Sequence, residues 1–260
     1  MRRSVVTKRS RPPKPVAEVA TAFASGLRKI LDDDLVALYL HGSAAFPQGR
    51  SRVGDVDFHV ILRRPLTDTT RRKIRSLHRY LPDRYPGVGD DLDVYYVTAE
   101  DARRRRPPRH QLDLSVRDHS WALHRAHWLS GRYVVVHGPP SGQLCPSPSW
   151  SELERGLGHE FSYAARRIHD ETAWWYGVLN ISRVLCSVRT RNVVVSKEEA
   201  ARWALRNLPR QHHHLIRAAL RARDREADEL DRTALRDEAR GFLAYARDRM
   251  KAGARTGTDI

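Results

Sequence analysis

The sequence predicts an α+β fold, in which an N-terminal domain with a small mixed sheet and flanking helices precedes an all-α C-terminal helical bundle. Short apolar segments bounded by turn residues predict strands in the first half of the chain. In the second half, apolar residues recur at helical spacing. Residues 138–150 are rich in Pro, Ser and Gly and are typical of a linker. We therefore expect a disordered basic tail over 1–15, one domain over 16–145 and another over 150–252.

The N-terminal elements alternate between helices and strands. An apolar stripe predicts a helix over 16–31, and the run Leu35–Leu40 predicts the first strand. A second apolar run ends near Leu62, before Pro65. The remaining predicted elements are a helix over 68–80, a strand over 92–97, a helix over 117–131 and a short strand just before Gly138.

The C-terminal half carries five apolar stripes at helical spacing, which predict five helices of one bundle. Their first and last apolar residues are Leu153–Ile168, Trp174–Leu185, Ala200–Leu208, Leu215–Leu220 and Leu235–Ala246.

Charge and composition limit the classes of function. The 260-residue chain has a net charge of +16, which suits a polyanionic partner such as a triphosphate. A nucleic acid is less favoured, because no compact basic motif with interleaved aromatic residues is present. The N-terminus lacks the apolar core of a signal peptide, and no segment reaches the length of a membrane span. Cys145 and Cys186 form no disulfide framework, so we expect a cytoplasmic protein.

Residues 38–62 contain a motif of candidate phosphate-binding and metal-binding residues. Gly42-Ser43 follows the first strand, where backbone N–H groups and a hydroxyl can meet phosphate oxygens. Asp55 and Asp57 lie two positions apart at the second strand, so both carboxylates project to the same side. Adjacent carboxylates suit Mg²⁺, a hard cation that binds oxygen ligands and substrate phosphates. The pattern indicates phosphoryl or nucleotidyl transfer.

This motif resembles the signature of the polymerase-β-like nucleotidyltransferase superfamily, with Asp55 following Ser43 by twelve positions. Residues 179–209 in turn resemble the helical domain of the streptomycin/spectinomycin adenylyltransferases. The matching positions there are Leu179, Ser182, Arg183, Lys197, Ala201, Trp203, Ala204, Leu208 and Pro209. Residues 121–139 also match that family's helix, strand and Gly-Pro ending.

The resemblance implies a nucleotidyltransferase domain over 16–145 and a set of site residues. Gly42 and Ser43 would hold the triphosphate of ATP, and two Mg²⁺ ions would lie on the acidic residues Asp55, Asp57 and Asp93. Arg183 and Lys197 of the helical domain would also bind ATP. Glu171 and Trp174 are candidates for acceptor binding.

The chain departs from the family pattern at two acidic-site positions. Gly54 stands where the family commonly has Ser, and Asp93 stands where the streptomycin enzymes typically have Glu. The shorter Asp93 leaves two roles open, a general base or mainly a metal ligand. The family's acidic acceptor-contacting position falls near Ala173, which carries no charge.

The resemblance implies an enzyme that moves AMP from ATP to a hydroxyl of an aminoglycoside or aminocyclitol antibiotic and releases pyrophosphate. We expect a monomer with a small-molecule acceptor. Two alternatives stay open: the same chemistry on a metabolite, protein or RNA, and a non-catalytic nucleic-acid or partner-binding protein built on this fold. Intact Ser43, Asp55, Asp57 and Asp93 argue against the non-catalytic alternative.

Overall fold

The computed structural model describes residues 12–45, 55–89, 92–170 and 172–255. These residues form two compact units that divide between Pro148 and Ser149. Most of the predicted basic tail, Gly54 and Glu171 lie outside the described residues.

The N-terminal unit begins with α1 (Lys14–Leu31), whose apolar stripe is buried except for the partly buried Ile30. It then contains β1 (Leu35–His41), a 3-10 turn over Gly42–Ala45, β2 (Val56–Leu62), α2 (Asp68–Arg84), β3 (Leu92–Thr98) and the short α3 (Ala99–Ala102). The two-stranded ribbon of β4 (Arg109–His110) and β5 (Asp113–Arg117) precedes α4 (Trp121–Leu129) and β6 (Val134–His137).

Four strands form one mixed sheet in the order β3-β2-β1-β6. The β1 strand is antiparallel to β2 and β6, whereas β2 and β3 are parallel. One sheet face packs on α1 and α2 around Phe23, Leu40 and Phe58. The other face packs around Tyr39, Trp121 and Trp128. The sheet is therefore covered on both sides, which explains why β1 and β2 are almost wholly apolar.

The C-terminal unit consists of five helices, α5 (Trp150–Arg167), α6 (Trp174–Thr190), α7 (Lys197–Asn207), α8 (His213–Arg223) and α9 (Glu229–Arg255). Their shared core contains Leu179, Leu185, Ile216 and Phe242. Capping boxes start two helices, with Ser149 bonding to Glu152 and Ser196 to Glu199. The predicted α+β fold, with a small mixed sheet and a helical C-terminal bundle, is confirmed.

Two predicted helices have different bounds in the structure. The predicted helix over 117–131 is shorter, because residues 113–117 form strand β5 and α4 begins at Trp121. The helix predicted over 68–80 runs on to Arg84, through Pro82. Among the described residues, no helix is both long and apolar enough to cross a membrane.

Candidate active site

The predicted phosphate turn and the paired aspartates meet at one end of the strands, where β1 ends and β2 and β3 begin; we call this end of the strands the sheet edge. Gly42 directly follows β1 and has φ +63°, a left-handed conformation that a residue without a Cβ adopts readily. A Cβ at Gly42 would lie 1.6 Å from Oδ2 of Asp57, so this carboxylate sits against the Gly42 backbone. Ser43, in the same 3-10 turn, is exposed. Glycine is therefore required where the turn meets the acidic strand.

Strand register places three polar side chains in one row. His41 on β1 pairs with Asp57 on β2, and Asp57 pairs with Asp93 on β3. Directly paired residues project from the same face, and neighbouring strands lie about 4.8 Å apart. Asp55 immediately precedes β2 and is exposed, while Asp57 is half-buried and Asp93 is exposed. The structure thus brings Asp57 and Asp93 side by side, with Asp55 two positions before Asp57.

Hard oxygen donors are the appropriate set for Mg²⁺. Asp57 and Asp93 supply such donors on adjacent strands, next to a turn that only glycine fits. The residues therefore fit the predicted ion. The three carboxylates of Asp55, Asp57 and Asp93 do not, however, have ligand atoms that all lie within 4.8 Å of one another; in the described part of the chain, only His59, Asp118 and His124 meet that limit.

That histidine-containing cluster was not predicted from the sequence. Nε2 of His59 and Nδ1 of His124 lie 3.1 and 2.9 Å from Oδ2 of Asp118. Nδ1 of His59 lies 2.7 Å from Nε2 of His41. Because a carboxylate only accepts, His59 and His124 donate to Asp118, and His41 then donates to His59. His41, His59 and Asp118 are all buried.

Burial determines the protonation of this cluster. It lowers the pKa of His59 to about 4, against the opposing hydrogen bond to Asp118. It also lowers the pKa of His41. Burial would raise the pKa of Asp118, but the interactions with His124 and His59 outweigh it and hold that pKa well below its usual range. Asp118 is therefore a buried, ionised carboxylate that accepts from His59 and His124.

The helical unit contains a second polar cluster, centred on Tyr176. Nζ of Lys197 lies 4.1 Å from the centroid of the Tyr176 ring, a cation–π contact. Arg183 forms a 3.2 Å ion pair with Glu160 of α5. Burial raises the pKa of Tyr176 to about 12, and the Glu160 charge acts in the same direction. Lys197 and Arg183, predicted from the resemblance, thus lie in one unit around residues that the sequence did not single out.

Trp174, a candidate for acceptor binding, is partly buried against the core of the helical unit beside Trp175. It begins α6 directly after Ala173. Glu160 is the acidic residue that the structure adds to this region. Its only sequence signal is its helical position on α5, facing α6.

Two comparisons with known proteins bear on these sites. Residues 156–249 match the family model described as the aminoglycoside adenylyltransferase C-terminal domain. The crystal structure of the spectinomycin adenyltransferase AAD(9) from Enterococcus faecialis, with ATP and spectinomycin, is similar to the chain with a TM-score of 0.71 at 17% identity. The similarity covers 90% of this chain and 99% of that one. No curated protein is significantly similar in sequence.

The structural similarity establishes a shared fold along nearly the whole chain. The family match falls within the helical unit, where the Ser182-Arg183 and Trp203-Ala204 motifs carried the predicted resemblance. The predicted resemblance to the adenylyltransferases is therefore confirmed for the helical unit, and the fold similarity extends over nearly the whole chain.

Proposed function

We propose that this protein transfers AMP from ATP to a hydroxyl of an aminoglycoside or aminocyclitol antibiotic and releases pyrophosphate. The observation that carries the proposal is the registered pair Asp57–Asp93 beside the Gly42 turn. A phosphate-binding turn next to closely spaced carboxylates suits metal-assisted phosphoryl chemistry. The similar spectinomycin adenyltransferase, solved with ATP and spectinomycin, supports this choice of substrates.

The residues at the sheet edge would have different roles in the reaction. Gly42 and Ser43 would bind phosphate oxygens through backbone N–H groups and the hydroxyl. Asp55 and Asp57 would hold Mg²⁺, with Asp93 as a further ligand or as the base. When bound, Mg²⁺ would supply positive charge that offsets the triphosphate. On family resemblance alone, Arg183 and Lys197 would contribute to nucleotide binding.

In the proposed reaction, the acceptor hydroxyl oxygen attacks the α-phosphorus of ATP. An oxygen–phosphorus bond forms, the bond between the α-phosphorus and the bridging oxygen breaks, and pyrophosphate leaves. Asp93, exposed at the same edge, would accept the hydroxyl proton. Its pairing with Asp57 supports this assignment, because the base must stand beside the reacting phosphate.

The proposed acceptor is a polycation and needs local negative charge within a chain of net charge +16. Asp93 supplies such charge at the sheet edge. Glu160, in the helical unit, is already paired with Arg183. Trp174 and Glu171 stay candidates for acceptor binding. We further propose a cytoplasmic monomer, since ATP is the donor and the described cysteines Cys145 and Cys186 are free thiols.

Mass spectrometry of the acceptor tests the proposal. Spectinomycin, streptomycin, a further aminoglycoside and an unrelated RNA are each incubated with the protein, ATP and Mg²⁺. We expect at least one antibiotic to gain the mass of a single adenylyl group, and the RNA to stay unchanged. Modification of RNA alone, or of nothing while ATP binds, would contradict the assigned acceptor class.

A further inference from the structure

A second potential metal site lies deeper on the sheet face that carries the carboxylates. His59 follows Asp57 by two positions on β2, so it projects from the same face. Asp118 precedes α4, and His124 lies within that helix. Ligand atoms of these three residues all lie within 4.8 Å of one another. We refer to His59, Asp118 and His124 as the imidazole–carboxylate cluster.

The spacing of these atoms suits a small divalent ion. Zinc–nitrogen and zinc–oxygen bonds of about 2.0–2.1 Å in a tetrahedron separate neighbouring ligand atoms by about 3.3 Å. In the cluster, Oδ2 of Asp118 lies 3.1 Å from His59 and 2.9 Å from His124. Moving apart by a few tenths of an ångström would make room for the ion. Oδ1 of Asp118 accepts from the backbone N–H of Ser120 at 3.0 Å, which anchors the carboxylate.

The surroundings of the cluster also suit a metal ligand set. Nδ1 of His59 contacts His41 at 2.7 Å, so its outer nitrogen has the partner that metal-binding histidines characteristically have. The rings of Trp121 and Trp128 pack on His59, with centroids at 5.8 and 4.9 Å. Imidazole and carboxylate ligands in such a shell are typical of zinc and neighbouring transition metals.

Metal binding here requires that the two ligand nitrogens, Nε2 of His59 and Nδ1 of His124, give up their protons. His59 would move its proton from Nε2 to Nδ1 and then donate to His41, which would carry its own proton on Nδ1. His124 would move its proton from Nδ1 to Nε2. The carboxylate is already ionised, because it accepts hydrogen bonds from both imidazoles. The His124 side chain is 29% exposed, which gives an ion a route to the cluster.

We propose that His59, Asp118 and His124 form a binding site for a divalent transition metal, with zinc as the best match. Two imidazoles and one carboxylate provide three ligands and leave a fourth position for water. His41 acts as the outer hydrogen-bond partner. The bound ion would tie β2, the strand that carries Asp57, to the start of α4. The role of the ion is to stabilise β2 and so to hold Asp57 in place.

Zinc binding to the full-length, tag-free chain tests the proposal. The protein carries Asp55→Asn and Asp57→Asn, so that the predicted Mg²⁺ site cannot contribute. After dialysis against zinc and then metal-free buffer, we expect about one zinc per chain by elemental analysis, as for a single three-ligand site. Cobalt should give visible absorption typical of nitrogen ligation, and zinc should raise the Tm.

Four variants in that background test the assignment of the site. Asp118→Asn and His124→Ala should lose zinc and the cobalt absorption, whereas His119→Ala, at the exposed neighbouring histidine, should keep both. Circular dichroism verifies that the His124→Ala protein is folded. His41→Phe keeps a ring without a nitrogen and should weaken zinc affinity about 10–100-fold.

Absence of zinc from the parent, or its retention in folded Asp118→Asn and His124→Ala proteins, would overturn the proposal. The cluster would then be a hydrogen-bonded network only. Because the parent already lacks both Asp55 and Asp57 carboxylates, the outcome is independent of whether the protein transfers AMP.

Discussion

Asp57 and Asp93 are directly paired on the parallel strands β2 and β3. Two like charges at adjacent strand positions repel each other and destabilise the fold slightly. Asp57→Asn should therefore leave the Tm unchanged or raise it, while it abolishes adenylyl transfer. Thermal melts of wild type and variant without added metal measure the effect. A fall of several degrees would show that Asp57 stabilises the fold, and loss of activity could then not be assigned to chemistry.

Gly42→Ala should inactivate the enzyme more than it unfolds it. The new Cβ would lie 1.6 Å from Oδ2 of Asp57, which must move away from its position at the turn. The left-handed backbone adds about 1–3 kcal/mol of strain. Gly158→Ala is the matched control, since nothing lies within 4 Å of a Cβ there. On helix α5 it should stabilise the chain by about 0.5–1 kcal/mol. Equal activity of the two variants would contradict the role of the turn.

Asp93→Asn separates the two roles that the sequence leaves open. If Asp93 is the general base, kcat should fall about 10²–10⁴-fold with little change in nucleotide affinity. If it is mainly a metal ligand, nucleotide affinity should fall as well, and raised Mg²⁺ should partly restore kcat. We expect the first result. Asp83→Asn, at an exposed position on α2, is the control. Full rescue of kcat by Mg²⁺ would rule out Asp93 as the base.

Lys197→Ala should weaken ATP binding and leave acceptor binding unchanged. The Lys197 ammonium packs 4.1 Å from the Tyr176 ring centroid, a contact that contributes only about 0.5–1 kcal/mol to stability at partly exposed sites. The fold should therefore persist. Lys251→Ala, at an exposed lysine of α9, is the control for net charge. Calorimetry gives both affinities, and an unchanged Kd for ATP would remove Lys197 from the nucleotide site.

Asp231→Asn should destabilise the helical unit in a pH-dependent way. Asp231 is buried and accepts from Nε of Arg221 at 2.6 Å, and this hydrogen bond lowers its pKa. The stabilisation is present above the unfolded pKa of about 3.9 and is lost as pH falls through the lower folded pKa. At pH 7 we expect a loss of about 1.5–3 kcal/mol, the range for hydrogen bonds to charged groups.

Denaturant unfolding at pH 7 and at acid pH measures this effect. The difference between wild type and Asp231→Asn should shrink as the pH falls below 4. Asp237→Asn removes an exposed pair with Arg236 on the same helix and should cost less than about 1 kcal/mol. A pH-independent difference would mean that the ion pair is not the cause.

Periodicity was sufficient to predict most elements, because their apolar faces are buried. The strand Leu35–Leu40 and the stripe of α1 are examples. The ribbon of β4 and β5 was missed because β5 is exposed throughout, with Leu114 46% and Val116 41% exposed. Leu114 and Val116 do alternate with polar residues, but two apolar positions are too short a pattern to predict a strand.

The candidate site could be proposed from the sequence where its residues are close in the chain. Gly42, Ser43, Asp55 and Asp57 belong to one strand–turn–strand segment, so their order carries the signal. The His59–Asp118 contact joins residues 59 positions apart, and only the packing of α4 on the sheet brings them together. Glu160 meets Arg183 through the pairing of two helices, which the sequence does not specify residue by residue.

Antibiotic-dependent pyrophosphate release from Mg²⁺-ATP is the most direct test of the central claim. It is measured for wild type and for the Asp55→Asn, Asp57→Asn double variant, with spectinomycin and streptomycin as acceptors. We predict release by wild type with at least one antibiotic, and none above background by the double variant, which keeps the wild-type Tm or exceeds it. Turnover that persists without both carboxylates would contradict the assignment of this sheet edge as the active site.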